Sequence, residues 1–132
     1  VIHLDTGFVI DLQREADDHA PAHAFLEQHR AESFAISVHA LCELEAGILL
    51  TRHPERERAR LHSIVGGMAV AYPDVSFAVT YARTFASLER RGKRMPVMDL
   101  LIAVAALLDE ASLVTRNVKD FALVPDLNVL SY

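Results

Sequence analysis

Cysteine is nearly absent from this chain. Cys42 is the only one in 132 residues, so no internal disulfide can form, which suits a reducing compartment such as the cytoplasm. Long apolar runs are also missing. The most apolar stretch, Leu100–Leu108, is far shorter than the roughly 20 residues that a membrane span needs. No basic-flanked leader opens the sequence, and Val1 at its head reads as a chain whose initiator methionine is gone. Positive charge is scarce. Lys and Arg number 13 against 18 Asp and Glu, for a formal charge of -5. That speaks against a broadly basic nucleic-acid binder, but not against a nuclease whose acids are neutralised by metal. Repeats, low-complexity segments and linkers are absent, and no G-x-G-x-x-G follows the first strand, which excludes a dinucleotide-binding fold.

What is present is apolar: 52% of the residues, slightly above the usual range. A chain of this length fits one domain, here 1–132, and buries roughly two thirds of its unfolded surface without a disulfide or structural metal. Val1–Leu4 reads as a buried strand, followed by a short helix through Phe8–Leu12 with Thr6 as its N-cap. Ala20–Arg30 is a helix with Pro21 in its first turn. Phe34–Ser37 is a second strand. Ser37 or His39 then opens the helix His39–Leu50, with Leu41, Leu44, Ile48 and in one reading Glu43 turned inward.

Pro54–Ile64 is a charged helix broken at Gly66-Gly67. Its mixed signs make Arg52–Arg60 a solvated face. Met68–Ala71 is a third strand. A long helix runs from Tyr72-Pro73-Asp74 to about Arg91, with Phe77, Tyr81, Phe85 and Leu88 on one face and Gly92 as its stop. Met98–Asp109 is apolar nearly all round and is expected at the centre of the fold, with Asp109 and Glu110 merely exposed at its end. Ser112–Thr115 and Asn128–Leu130 are the last strands. Strands alternating with helices predict an α/β fold on a mainly parallel sheet.

The acids fall in a pattern. In such sheets ligands bind beyond the carboxyl ends of the strands. Asp5 ends the first strand, Glu43 lies in the helix after the second, and Asp99 opens the central helix. Asn117 and Asp120 follow the fourth strand, three residues apart, and share a face if that loop makes a helical turn. Each has an ordinary alternative: Asp5 as a helix cap, Glu43 as a solvated residue, Asp99 as a charge at a helix N-terminus. Their joint placement points elsewhere. Clustered carboxylates raise one another's pKa, and a cation among them keeps them ionised. Oxygen donors without Cys or His select hard ions such as Mg²⁺ or Mn²⁺.

Four stretches carry a resemblance that runs from end to end: Ile2–Thr6, Ile36–Ile48, Pro96–Ala106 and Leu113–Phe121. In that order and spacing the chain resembles the PIN-domain ribonucleases, and within them the VapC-type toxins of toxin–antitoxin pairs. The resemblance implies a PIN-like three-layer α/β fold, a mainly parallel five-stranded sheet flanked by helices. It implies metal-dependent RNA cleavage by activated water, leaving a 5′-phosphate and a 3′-hydroxyl. Its acidic site falls on Asp5, Glu43 and Asp99, with Asn117 and Asp120 both matching the fourth position and Thr6 matching a hydroxyl beside the first acid. On this reading Asp5 and Asp99 contact the metal most directly, Glu43 acts through water, and Asp120 with Asn117 completes the shell. The implied partners are a VapB-type antitoxin whose C-terminal arm fills the site, an RNA substrate, and a second copy of the chain, with no membrane. Such proteins commonly have Asn after Asp-Thr. Gly7 stands there instead, which implies a less firmly held first loop.

RNA must be guided past these acids. Arg90, Arg91, Lys93 and Arg94 precede Asp99 and are candidates for phosphate contacts; an ordinary basic helix end is the alternative. Arg116 either joins them or braces the carboxylates. His19 and His23 have a zinc-like i, i+4 spacing but no evident third ligand. His39, one turn before Glu43, is read as a surface residue at the helix start, and His3 as packed in the first strand. Two competing readings remain. One is a PIN-like module that binds RNA or protein with little catalysis. The other is an aspartyl-phosphate phosphatase, against which Gly7 counts, since an Asp-x-Asp start is missing.

Overall fold

The computed structural model describes residues 1–14, 17 and 20–132. Five parallel strands form one sheet: β1 (Ile2–Leu4), β2 (Phe34–Ser37), β3 (Ala69–Ala71), β4 (Ser112–Val114) and β5 (Val129–Leu130), in the order β3-β2-β1-β4-β5. Parallel neighbours require crossovers, and helices supply them. These are α1 (Thr6–Arg14), α2 (Pro21–Gln28), α3 (Val38–Leu49), α4 (Pro54–Val65), α5 (Phe77–Arg90), α6 (Val97–Leu108) and the short α7 (Val118–Phe121). All three residues of β1 are buried. Successive strand side chains point to opposite faces, so helices cover the sheet on both sides. The expected α/β architecture with a five-stranded sheet is observed, and every strand pair is parallel.

The ends of the elements follow local chemistry. Ser37 caps α3 through its hydroxyl, which accepts from the Ala40 N–H at 3.1 Å. At the end of α5, Gly92 takes a left-handed φ of 66°, and Lys93 N–H closes back onto the Leu88 carbonyl at 2.9 Å, a Schellman stop. The end of α6 has the same shape, with Ala111 N–H on the Ala106 carbonyl at 2.9 Å. Here the left-handed position is held by Glu110, φ 51°. Asp109 differs from its expectation: besides being exposed, its Oδ2 lies 2.6 Å from Nε2 of the buried His3, tying α6 to β1.

Helix α6 is the central post. Leu100, Ile102, Ala103, Val104, Ala105 and Ala106 are all buried in it, and it contributes to both hydrophobic clusters of the molecule. Its alanines let β2, β4, α3 and α5 approach closely. Two expectations about α5 change. It begins at Phe77, not at 72–74, because the Asp74 carboxylate accepts from the Ser76 N–H and hydroxyl in a turn that precedes the helix. Its packed face carries Phe77, Thr84 and Leu88, while Phe85 is exposed. A step from 77 to 88 meets Thr84 on the way, and the eighth position drifts off the stripe.

Candidate functional site: an acid cluster at the switch point of the sheet

The strand order reverses beside β1, with β2 on one side and β4 on the other. A doubly wound sheet opens a crevice at such a point, outside the carboxyl ends of its strands. Asp5 follows β1 there and Thr115 follows β4. The two meet: Thr115 Oγ1 donates to Asp5 Oδ2 at 2.6 Å. The other oxygen, Oδ1, accepts from the Thr6 N–H at 2.9 Å. Asp5 is thus a buried carboxylate, 7% exposed, with each oxygen held by one donor. Burial pushes its pKa up, and the Thr115 and Thr6 bonds and the charge of Arg116 pull against that.

Thr6 does not cap α1 as expected; it is the first residue of the helix. Its hydroxyl instead donates to Glu43 Oε1 at 2.7 Å, joining the end of β1 to α3. Helix α3 is aimed at this edge by its Ser37 cap and by Ala40, Leu44 and Ile48 packed below, and Glu43 is partly exposed. Asp99 lies in the first turn of α6, half-buried. Its carboxyl is pushed up to about 6, first by burial and then by the charges of Asp5, Glu43 and Asp120. The helix N-terminus favours its ionised form, but burial and the three acids outweigh that.

At the fourth position the two candidates are linked. Asn117 Nδ2 donates to Asp120 Oδ2 at 3.0 Å, and the Asn117 N–H donates to Thr115 Oγ1 at 3.0 Å. The loop does make a helical turn, α7, and the Asp120 charge is felt at Asp99. Four chain segments therefore bring Asp5, Glu43, Asp99 and Asp120 within electrostatic reach, with Asn117 orienting Asp120.

Among the described residues, no three Asp, Glu, His or Cys side chains are drawn together as a closed metal cage. The donor set fits a hydrated hard cation: it is all oxygen and anionic, and burial with neighbouring acids raises the carboxyls of Asp5 and Asp99. Mg²⁺ in particular keeps several waters and binds through one or two carboxylates.

The basic candidates separate. Arg90, Arg91, Lys93 and Arg94 are all exposed. Arg91, however, clamps backbone, donating from Nη2 to the Leu123 carbonyl at 2.6 Å and from Nε to the Ser87 carbonyl at 3.3 Å. Arg116 does not brace the site carboxylates; its Nη1 donates to Asp11 Oδ1 at 2.8 Å. Asp11 Oδ2 in turn accepts from the Tyr132 hydroxyl at 2.5 Å. Gly7, expected to loosen the first loop, is the seat of the Arg116 side chain: a Cβ there would stand 3.0 Å from Arg116 Nε. His39 is partly exposed at the start of α3, but its ring tip turns inward. Its Nε2 is buried without a partner and its ring tilts against Phe77, 5.3 Å between centroids. His3 is packed as expected, 1% exposed. The His19–His23 pair falls partly outside the described residues. Sequence reasoning missed the roles of Thr115 and Asp11. Thr115 carried a signal, a hydroxyl at a strand end facing Asp5 across the sheet; Asp11 carried none.

A groove of about 850 Å³ runs between α1, α3 and α4, with Leu12, Glu43, Leu44, Ile48, Arg60 and Ile64 in its walls. It shares only Glu43 with the acid cluster. No helix of the described residues is long and apolar enough to cross a membrane.

The PIN domain family model matches residues 2–127, and the chain belongs to the PIN-domain family. Over 95 residues it is 30% identical to ribonuclease VapC2 of Rickettsia felis, covering 72% of this chain and 71% of that protein. Its fold is similar to the crystal structure of VapBC2 from Rickettsia felis bound to a DNA fragment from their promoter. The TM-score is 0.91 at 25% identity, over 99% of this chain and 98% of that one. A second similar fold is DNA-bound VapBC from Salmonella typhimurium, TM-score 0.88 at 24% identity, over 98% and 96% of the two chains.

Proposed function

We propose that this protein is a divalent-metal-dependent endoribonuclease, the VapC-type toxin of a toxin–antitoxin pair acting in the cytoplasm. The observation that carries the reading is the state of Asp99. Burial first, and then three other acids from three other segments, push its carboxyl up to about 6, in a protein whose relative is a ribonuclease by name. Asp5, Asp99, Glu43 and Asp120 would hold Mg²⁺ or Mn²⁺, and that ion would polarise the scissile phosphate and acidify an attacking water.

The chain's own groups do the positioning. Thr115 and the Thr6 N–H fix both oxygens of Asp5, so its orientation is set before any ion arrives. Thr6 holds Glu43 by one oxygen and leaves the other free to orient a water. Asn117 holds one oxygen of Asp120 in the same way. No histidine is needed as a base. Arg90, Lys93 and Arg94, exposed just ahead of α6, supply cations for the RNA backbone; Arg91 contributes less, being engaged with carbonyls.

The groove between α1, α3 and α4 suits an extended amphipathic arm of a VapB-type antitoxin. Its walls mix apolar Leu12, Leu44, Ile48 and Ile64 with charged Glu43, Glu57 and Arg60, and it reaches the acids through Glu43. The binding-module alternative rested on Gly7, and Arg116 occupies the space that Gly7 leaves. The test is expression of the chain alone and with the product of a short neighbouring gene. Growth arrest relieved by that partner and abolished by Asp5→Ala supports the reading, and sequencing of RNA ends then names the target. Arrest that persists in Asp5→Ala overturns it.

A further inference from the structure

Arg116, Gly7, Asp11 and Tyr132 form a unit that the cleavage chemistry does not use. The guanidinium lies against α1 at Gly7, where a Cβ would meet Nε at 3.0 Å and Cζ and Nη2 at 3.3 Å. A side chain at position 7 would make the guanidinium give way by a few tenths of an ångström. One helical turn on, Asp11 grips Nη1 at 2.8 Å with Oδ1, and Oδ2 takes the Tyr132 hydroxyl at 2.5 Å. Both oxygens of Asp11 are spent in holding this arrangement. The Tyr132 ring is fixed in turn, edge-on to the buried Phe8 at 4.7 Å between centroids.

The backbone that carries Arg116 carries Thr115 before it and Asn117 after it. Thr115 is the hydroxyl donor to Asp5, and Asn117 is the amide donor to Asp120. Anchoring Arg116 on α1 therefore pins both flanking residues. We propose that Arg116 is a positioning residue: seated on Gly7 and clamped by Asp11, it sets the loop that orients Asp5 and Asp120 for the cation. The inference rests on the metal-site reading above. It makes Gly7 a required partner of Arg116, and the two positions act as one.

The test is a double-mutant cycle on the purified full chain, with Gly7→Leu, Arg116→Ala and the combined variant, read by Mn²⁺ titration without RNA and by metal-free melting. Each single change weakens Mn²⁺ binding by about tenfold, as loss of a group that orients a ligand does, and the combined variant is no worse than Arg116→Ala alone. Leu is a better helix former than Gly, so Gly7→Leu raises the melting temperature in the Arg116→Ala background and lowers it when Arg116 is present. Asp11→Ala reproduces the Arg116→Ala loss. If wild type binds Mn²⁺ and Gly7→Leu binds it equally well, or if the two changes add, Arg116 is not a positioning residue and the metal site stands. If wild type binds no Mn²⁺, the inference and the metal reading fall together.

Discussion

Asp99 is where burial and charge conflict most sharply. Its carboxyl, pushed up to about 6 from 3.8, takes up a proton in the folded state at a pH where the unfolded chain has released it. Between about pH 4 and pH 6 the folded state binds more protons, so stability falls as pH rises across that window and stays low above it. Asp99→Asn removes the penalty. The metal-free melting temperature at pH 7.5 should rise by about 2–5 °C, from on the order of 1 kcal/mol once solvent screening of this half-buried group is allowed for. At pH 4 the gain should vanish. A drop at pH 7.5 would contradict the account. Thr115 poses the opposite case. Fully buried, with its hydroxyl on Asp5, it is predicted to cost about 1–3 kcal/mol as Thr115→Val, because a buried carboxylate oxygen loses its donor. Urea unfolding measures this; a neutral result would show that water replaces the hydroxyl.

Helix α6 is legible in the sequence itself, since an apolar run with one acid at its head has few other places to go. So are the strand ends, because β1, β2 and β4 are short apolar runs closed by Asp5, Ser37 and Thr115. The start of α5 is not. Asp74 can cap a helix or make a turn with Ser76, and the choice depends on where β3 releases the chain. Nor is the left-handed Glu110, which no residue type announces. A side chain in that conformation costs about 1 kcal/mol or more, so Glu110→Gly should stabilise the fold by about 1 kcal/mol in urea unfolding. No change would mean that Glu110 has compensating contacts. The acid cluster is readable by position, but its internal bonds are not. Thr6 looks like a cap and serves Glu43, and Arg116 looks like an active-site brace and serves Asp11. Both depend on distances between segments that sequence does not carry.

The whole molecule gathers charge at one edge of the sheet and leaves apolar residues exposed elsewhere. Tyr72, Val75 and Val79 are 71%, 100% and 52% exposed, all within the passage from the edge strand β3 into α5. If the expected homodimer forms, exposed apolar residues of this kind are the ones it would bury. Light scattering of the purified chain should give a dimer mass, and Val75→Asp with Val79→Asp should give a monomer; a wild-type monomer would remove this face from the account. The central claim remains the metal-dependent acid cluster, and one measurement tests it most directly. Purified wild type and Asp99→Asn are incubated with RNA in Mg²⁺, with and without EDTA. The account predicts cleavage by wild type that EDTA abolishes, and a loss of at least about 100-fold in the variant. Undiminished cleavage by Asp99→Asn, or cleavage that survives EDTA, would contradict it.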